Sequence, residues 1–306
     1  MMVPYRPFHE RTPDKQYRDL LARILESGEE VPTRQGVPAL RLVGHLMRFP
    51  LDNGFPVITE RDLVSKPKTR PSPFHQAVGE ICAFLNGAQT QRELEEFGCF
   101  WWSEWVTAEE CAKFDLPAGD LGPASYGAAF RRFPTAEGTT FDQVSRLIEQ
   151  IRASPHIRHH ELTPWIPQYL LQSNGRKRRA VVPPCHGWVH VHINPSTGTL
   201  ILSHRQRSAD APVGLVFNLI HYAALALMIA QITGYTPREL VYYIEDAHIY
   251  RNQIQDVQAM LATEPQRFPT VHVDPTVTDV FSFRPDHFAV TDYQPQLSRR
   301  RIPTPV

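Results

Sequence analysis

The chain is short of the features that would classify it at a glance. Its four cysteines, Cys82, Cys99, Cys111 and Cys185, stand too far apart for a CxxC pair, which excludes the spacing of a zinc site and of a disulfide framework, so no metal is expected. Neither sign of charge is in excess: Lys+Arg and Asp+Glu both number 32. A global electrostatic footprint for DNA or RNA is therefore missing, although a local basic pocket for a small anion stays compatible with the balance. The opening MMVPYRPFHERTPDKQYRD lacks an apolar signal core, and later apolar runs carry polar residues before reaching the roughly 18 needed to cross a bilayer. A cytoplasmic protein without a membrane or DNA partner is the expectation. No internal repeat is visible, and the 28 prolines are dispersed among hydrophobic segments, which marks rigid loops rather than disorder.

What is present is a sequence able to bury a core, 306 residues at 42% hydrophobic and 21% charged, enough for one large domain or two small ones. QYRDLLARILESG, FHQAVGEICAFLNG, TQRELEEFG and FDQVSRLIEQIRASP carry helical spacing. ALRLVGHLMRFPL alternates as a strand, NGFPVIT follows a turn signal with more extended sequence, and SKPKTRPSP reads as a basic, proline-broken loop. GLVFNLIHYAALALMIAQITGYTP is long and apolar, yet its Asn218, His221, Tyr222 and Gln231 predict a buried central helix rather than a membrane span. LVYYIEDAHIYRNQIQDVQAML reads as a strand followed by a helix. Strands and helices mix without a βαβ rhythm, so the expected class is α+β with a mixed sheet and packed helices.

One stretch asks a chemical question. AVVPPCHGWVHV, a short turn and ILSHRQRSAD predict a hairpin whose return brings Arg207 and Ser208 back toward Cys185. A lone cysteine is by default a small buried hydrophobe. A guanidinium beside it favours the thiolate and makes a nucleophile.

The ordered motifs around that hairpin resemble the thymidylate synthase family. QRSAD, GLVFN and EDAHIYRN are similar to that family's QRS-x-D, GLPFN and GDAHIY-x-N, PPCH to its nucleophile motif, and TRQGVPALRLVGHLMRF with NGFP to its amino-terminal phosphate loop and first strand. GEICAFLNG, WWSEW and GDLGPASYG fall in the family's order, so the resemblance covers nearly the whole chain. It implies one catalytic domain over residues 1–306, a homodimer joined through the sheet face with shared active sites, and one-carbon transfer from 5,10-methylenetetrahydrofolate to carbon 5 of a pyrimidine nucleoside monophosphate.

The resemblance assigns roles residue by residue. Cys185 would add to carbon 6 of the ring as thiolate, turning carbon 5 into a carbon nucleophile. Arg207, Ser208 and Arg34 would grip the 5'-phosphate, helped by Arg158 from the other subunit; guanidinium forks suit phosphate because they offer paired in-plane donors. Asn218 would read the pyrimidine edge; an amide fits uracil, whereas the family's deoxycytidylate hydroxymethylases place a carboxylate there. His248 and Tyr250 would bind the sugar hydroxyl. Glu80 would serve as general acid/base through water, while Trp102, Asp210, Phe217 and Tyr126 would line the folate site or order its water.

Departures from the pattern direct the finer expectation. The second arginine beside Arg158 is here His159, the proline of GLPFN is Val216, the serine three residues after the asparagine is His221, and the glycine of GDAHIY is Glu245. The ending RIPTPV is about two residues shorter than the family's, and a shorter lid would let water rather than hydride reach the exocyclic methylene. A 5-hydroxymethyl product is therefore the expectation, with reductive methylation by a thymidylate synthase proper as the alternative. A reading of another class is an idle nucleotide- or RNA-binding regulator on the same fold, against which stands the joint presence of Cys185, Glu80, Arg207 and Asn218.

Overall fold

A fifteen-residue strand, Thr236–Tyr250, organises the molecule, and the computed structural model describes it within residues 3–172 and 175–305. It pairs antiparallel with Ala39–Pro50 on one side and parallel with Thr199–Gln206 on the other. The seven-stranded sheet continues outward to Glu29–Val31 at one end and through Trp188–Asn194 to Glu161–Leu162 at the other. Parallel and antiparallel ladders in one sheet make the class α+β, as the irregular element order predicted.

Strand Thr199–Gln206 leaves the long strand after Gln206, and Ala209–Asp210 rejoins it opposite Ala247 and His248. Arg207 and Ser208 lie in that break, where their N–H groups, freed from the ladder, donate to the carbonyl of Cys185. The gap in the sheet is thus what turns the hairpin toward the cysteine.

The central helix, Gly214–Thr233, is apolar on every side and buried along most of its length. A helix without a polar face must be covered all round. It packs against the sheet on one side and against helix Pro73–Leu85 on the other, and Gly234, in the left-handed region at φ 80°, ends it. It is the one helix among the described residues long and apolar enough to cross a membrane; the surrounding protein covers it instead.

Helix Pro73–Leu85 starts at Ser72, whose side chain accepts the His75 N–H, with Pro73 in the first turn. Gly79 lets it approach its neighbour, since a Cβ there would come within 2.2 Å of the Phe97 carbonyl. Glu80, the next residue, is thereby held deep in the core. The segment NGFPVIT is extended but forms no strand: after a single 3-10 turn at Leu51–Asn53 its residues are buried under neighbouring loops. The opposite sheet face is bare, with Val43 69% and Leu46 53% exposed, and Tyr243 paired directly across from Leu46.

Candidate active site

Cys185 sits just before strand Trp188–Asn194, half-buried, with its N–H donating to the hydroxyl of Tyr126 at 2.8 Å. Arg207 reaches its Sγ from Nη2 at 3.4 Å and also bonds the carbonyls of Pro183 and Pro184. The hairpin therefore brings thiol and guanidinium together, as its sequence predicted. The electrostatic outcome is different. Burial pushes the thiol above its usual range, and the opposing pull of Arg207 does not fully offset it. Burial thus favours the thiol form, and Arg207 also gives donors to two backbone carbonyls.

Behind the cysteine lies a buried polar pocket. Asn218, 7% exposed, accepts from Gln206 Nε2 at 2.9 Å through Oδ1, and its Nδ2 stands 3.4 Å from Nδ1 of His221. His221 Nε2 is 3.0 Å from Oε2 of Glu80, whose other oxygen accepts the indole N–H of Trp102. Tyr126 stacks on His186 at 4.3 Å and on Phe84 at 4.7 Å, and its hydroxyl is pushed well up by burial and by the neighbouring cysteine. His186 in turn meets the Tyr222 hydroxyl at 2.5 Å, and burial holds its imidazole neutral. Cys185, Tyr126, Asn218, Glu80 and Trp102 are thus joined by direct contacts or shared neighbours.

Asp210 and the aromatic wall form a second side. Trp101 and Phe217 meet with ring centroids 4.8 Å apart and planes tilted by 36°, an aromatic wall of the kind a pterin packs on. Asp210 accepts from Val213 N–H and from Gln253, and burial raises it to about 6, with the nearby charge of His248 opposing. Gln253 also donates to the Pro303 carbonyl, while Ile302 packs into the core. Arg61, 4% exposed, bonds the Pro212 carbonyl and lies over the Phe217 ring, but its Nε is buried without a partner. An orphaned buried donor beside this aromatic pair fits a group rich in polar edges, as a folate is. The expectation about the chain end turns on Val306, outside the described residues.

The cationic rim is looser. Arg34 is exposed in the turn before strand Ala39–Pro50, and Arg158 is exposed in the bend after helix Gln143–Ala153; among the described residues neither has a hydrogen bond or ion pair. Arg178 bonds the carbonyls of Ala180 and Val181 and is pulled down to about 10, first by burial and then by the charges of Arg34 and Arg207. A guanidinium held down by two like charges beside it marks a place for an anion. His248 pairs with Asp246 at 2.8 Å and packs edge-on to Tyr250, itself raised to about 12 by burial and the acidic groups around it. Among the described residues no cluster of three His, Cys, Asp or Glu is arranged to hold a metal ion.

A family model described as thymidylate synthase matches residues 15–303. The chain belongs to the thymidylate synthase family. With membership comes the family's chemistry, the folate-dependent transfer of a methyl or hydroxymethyl group to carbon 5 of a pyrimidine nucleotide.

Three residues of this thymidylate synthase family site escape a reading of the sequence. Gln206 belongs to the QRS motif but gives no sign of its buried bond to Asn218. Arg61 and Arg178 look like solvated charges, because position along the chain does not reveal that Arg61 is buried or that Arg178 turns onto backbone carbonyls.

Proposed function

We propose that this member of the family acts on a uracil nucleoside 5'-monophosphate and releases the 5-hydroxymethyl nucleotide. The observation that carries the reading is the continuous contact from Cys185 and Arg207 through Tyr126 to the pocket of Asn218, His221 and Glu80. When bound, 5,10-methylenetetrahydrofolate supplies the one-carbon unit. Cys185 adds to carbon 6 of the ring, and phosphate binding draws Arg207 off its backbone carbonyls toward the thiolate and the nucleotide. Asn218 reads the base edge. Arg34, Arg207 and Ser208 hold the phosphate, with Arg178 beside them, while His248 and Tyr250 meet the sugar. Trp102, Phe217, Asp210 and Arg61 enclose the folate.

Support for hydroxymethylation comes from Glu80 and His221. Where the family pattern has a serine, this chain sets an imidazole against the acid/base carboxylate. The pair can hold a water and let Glu80 take its proton, which is the requirement for water capture. Reductive methylation is a second reading, favoured by the Gln253 bridge from Asp210 to Pro303, which draws the tail over the folate side.

A homodimer fits the bare sheet face with Val43, Leu46 and Tyr243 exposed, and it gives the unpartnered Arg158 a neighbouring site to enter. The product decides the reading. Incubation of UMP, dUMP, CMP and dCMP with methylenetetrahydrofolate is expected to give a uracil nucleotide heavier by the elements of formaldehyde, with no rise in dihydrofolate absorbance. A methylated product formed in step with dihydrofolate would replace it with the second reading.

A further inference from the structure

We propose that His221 is a positioning residue: a neutral imidazole, protonated on Nε2, that locks the amide of Asn218 in one orientation and braces Oε2 of Glu80. The inference rests on the roles given above to Asn218 and Glu80, and it starts from a group with no ambiguity. A backbone carbonyl can only accept, so the Gln206 atom 2.9 Å from the Ser208 oxygen is the amide nitrogen. That nitrogen gives its second proton to Asn218, 2.9 Å away, so the atom it meets there is Oδ1. Gln206 Oε1, on its other side, accepts from the Tyr242 hydroxyl, which agrees.

With Oδ1 of Asn218 turned to Gln206, Nδ2 is the atom facing His221 Nδ1 at 3.4 Å. An amide nitrogen only donates, so Nδ1 must carry a lone pair and the imidazole proton resides on Nε2. Nε2 faces Glu80 Oε2 at 3.0 Å; the contact is short but bent from hydrogen-bond alignment, and Nε2 has no other partner. A small rotation of the ring would align it. Gln206, His221, Tyr242 and Glu80 are all at least nine-tenths buried, so solvent does not supply alternative partners.

The direction of this chain has a consequence for the base. Asn218 keeps one proton on Nδ2 and one lone pair on Oδ1 for the pyrimidine edge. Donation to O4 and acceptance from N3–H is the uracil pattern; cytosine, with an amino group at carbon 4 and a bare N3, needs the amide reversed. Reversal would set Nδ2 against the Gln206 amide nitrogen and Oδ1 against the Nδ1 lone pair. His221 thereby contributes to base choice without touching the base, and it ties that choice to the carboxylate that handles protons.

The test has two arms. In the unaltered protein, 15N chemical shifts of His221 are expected to show an unprotonated Nδ1 and a protonated Nε2 with uracil nucleotide bound. A protonated Nδ1 overturns the proposal without touching the assignment of Cys185. In the second arm, His221→Asn keeps an acceptor for Asn218 but does not reach Glu80, whereas His221→Leu keeps neither. We expect His221→Asn to retain the ratio of kcat/KM for uracil over cytosine nucleotides while kcat falls, and His221→Leu to lower the ratio by about tenfold, the worth of one buried hydrogen bond. Equal ratios for parent and His221→Leu, or equal losses in both variants, overturn it. If the parent prefers cytosine nucleotides although Nε2 is protonated, the reading of Asn218 fails and the base-selecting half of the proposal fails with it.

Discussion

The two ends of the nucleotide would meet very different surroundings. Around the base, Asn218, His221, Glu80, Tyr126 and Trp102 are buried and set against one another, with Asn218 bonded to His221 and Trp102 to Glu80. Around the phosphate, Arg34 and Arg158 are exposed and without hydrogen-bond or ion-pair partners among the described residues, and Arg207 is occupied by backbone carbonyls. The interior is organised before any ligand arrives, because a buried polar group left unpaired costs on the order of 1–3 kcal/mol. Exposed arginines bear no such penalty, since water solvates them. The lesson is a division of labour: chemistry is prepared by folding, and anion binding is completed by the ligand and, on the reading above, by a second subunit.

Breaking the interior gives the largest effect. Cys185→Ser is expected to lower turnover by on the order of 10⁴-fold or more, and to stop exchange of the carbon 5 hydrogen with solvent, since both begin with addition at carbon 6. Exchange at the parent rate would remove Cys185 from the mechanism. Breaking the rim costs less. Arg158→Ala is expected to weaken nucleotide binding by about 10- to 100-fold, the value of one charge-assisted contact. The two lesions then complement each other: mixed dimers of Arg158→Ala and Cys185→Ser subunits carry one site with an intact Cys185 and an intact Arg158 of the partner subunit. Activity absent after confirmed subunit exchange would assign Arg158 to its own subunit or to no site.

The smallest effect lies at the border between the two regions, at Asp210. Its carboxyl is held at about 6 in the folded protein against an ordinary 3.8, so folding favours the protonated form. That contribution is fully present below the ordinary value and is lost as pH rises through about 6. Asn at this position does not ionise. Asp210→Asn should therefore match the parent in stability near pH 4 and exceed it by about 1–2 kcal/mol at pH 8, in denaturant titrations. An advantage that shrinks as pH rises would contradict the buried-carboxyl account.

Much of this arrangement is legible in the chain itself. The helical spacing of QYRDLLARILESG corresponds to helix Gln16–Ser27 with Gly28 after it, and the apolar GLVFNLIHYAALALMIAQIT is the buried helix that its polar residues implied. The turn between AVVPPCHGWVHV and ILSHRQRS foretold the approach of Arg207 to Cys185, because a hairpin's register is a local property. Three features were not legible. NGFPVIT has strand-like composition but no partner edge to pair with, so it stays an extended buried loop. The thiolate balance depends on burial of the thiol set against the charge of Arg207 and the bond to Tyr126, which are tertiary facts. The enclosure of Arg61 follows from packing against Pro212, 151 residues along the chain, and that of Gln206 from the later elements that carry Asn218 and Tyr242, and nothing local announces either.

The central claim is that Cys185 attacks the pyrimidine in the pocket built by this interior. A nucleotide with fluorine at carbon 5 tests it most directly, because fluorine cannot leave as a proton does and the bond from sulfur to carbon 6 persists. The protein is incubated with 5-fluoro-UMP or 5-fluoro-dUMP and methylenetetrahydrofolate, digested, and read by mass spectrometry. The account predicts a covalent adduct on the peptide that contains Cys185, absent from the Cys185→Ser protein. No adduct with either nucleotide, or an adduct on Cys82, Cys99 or Cys111 instead, would contradict it.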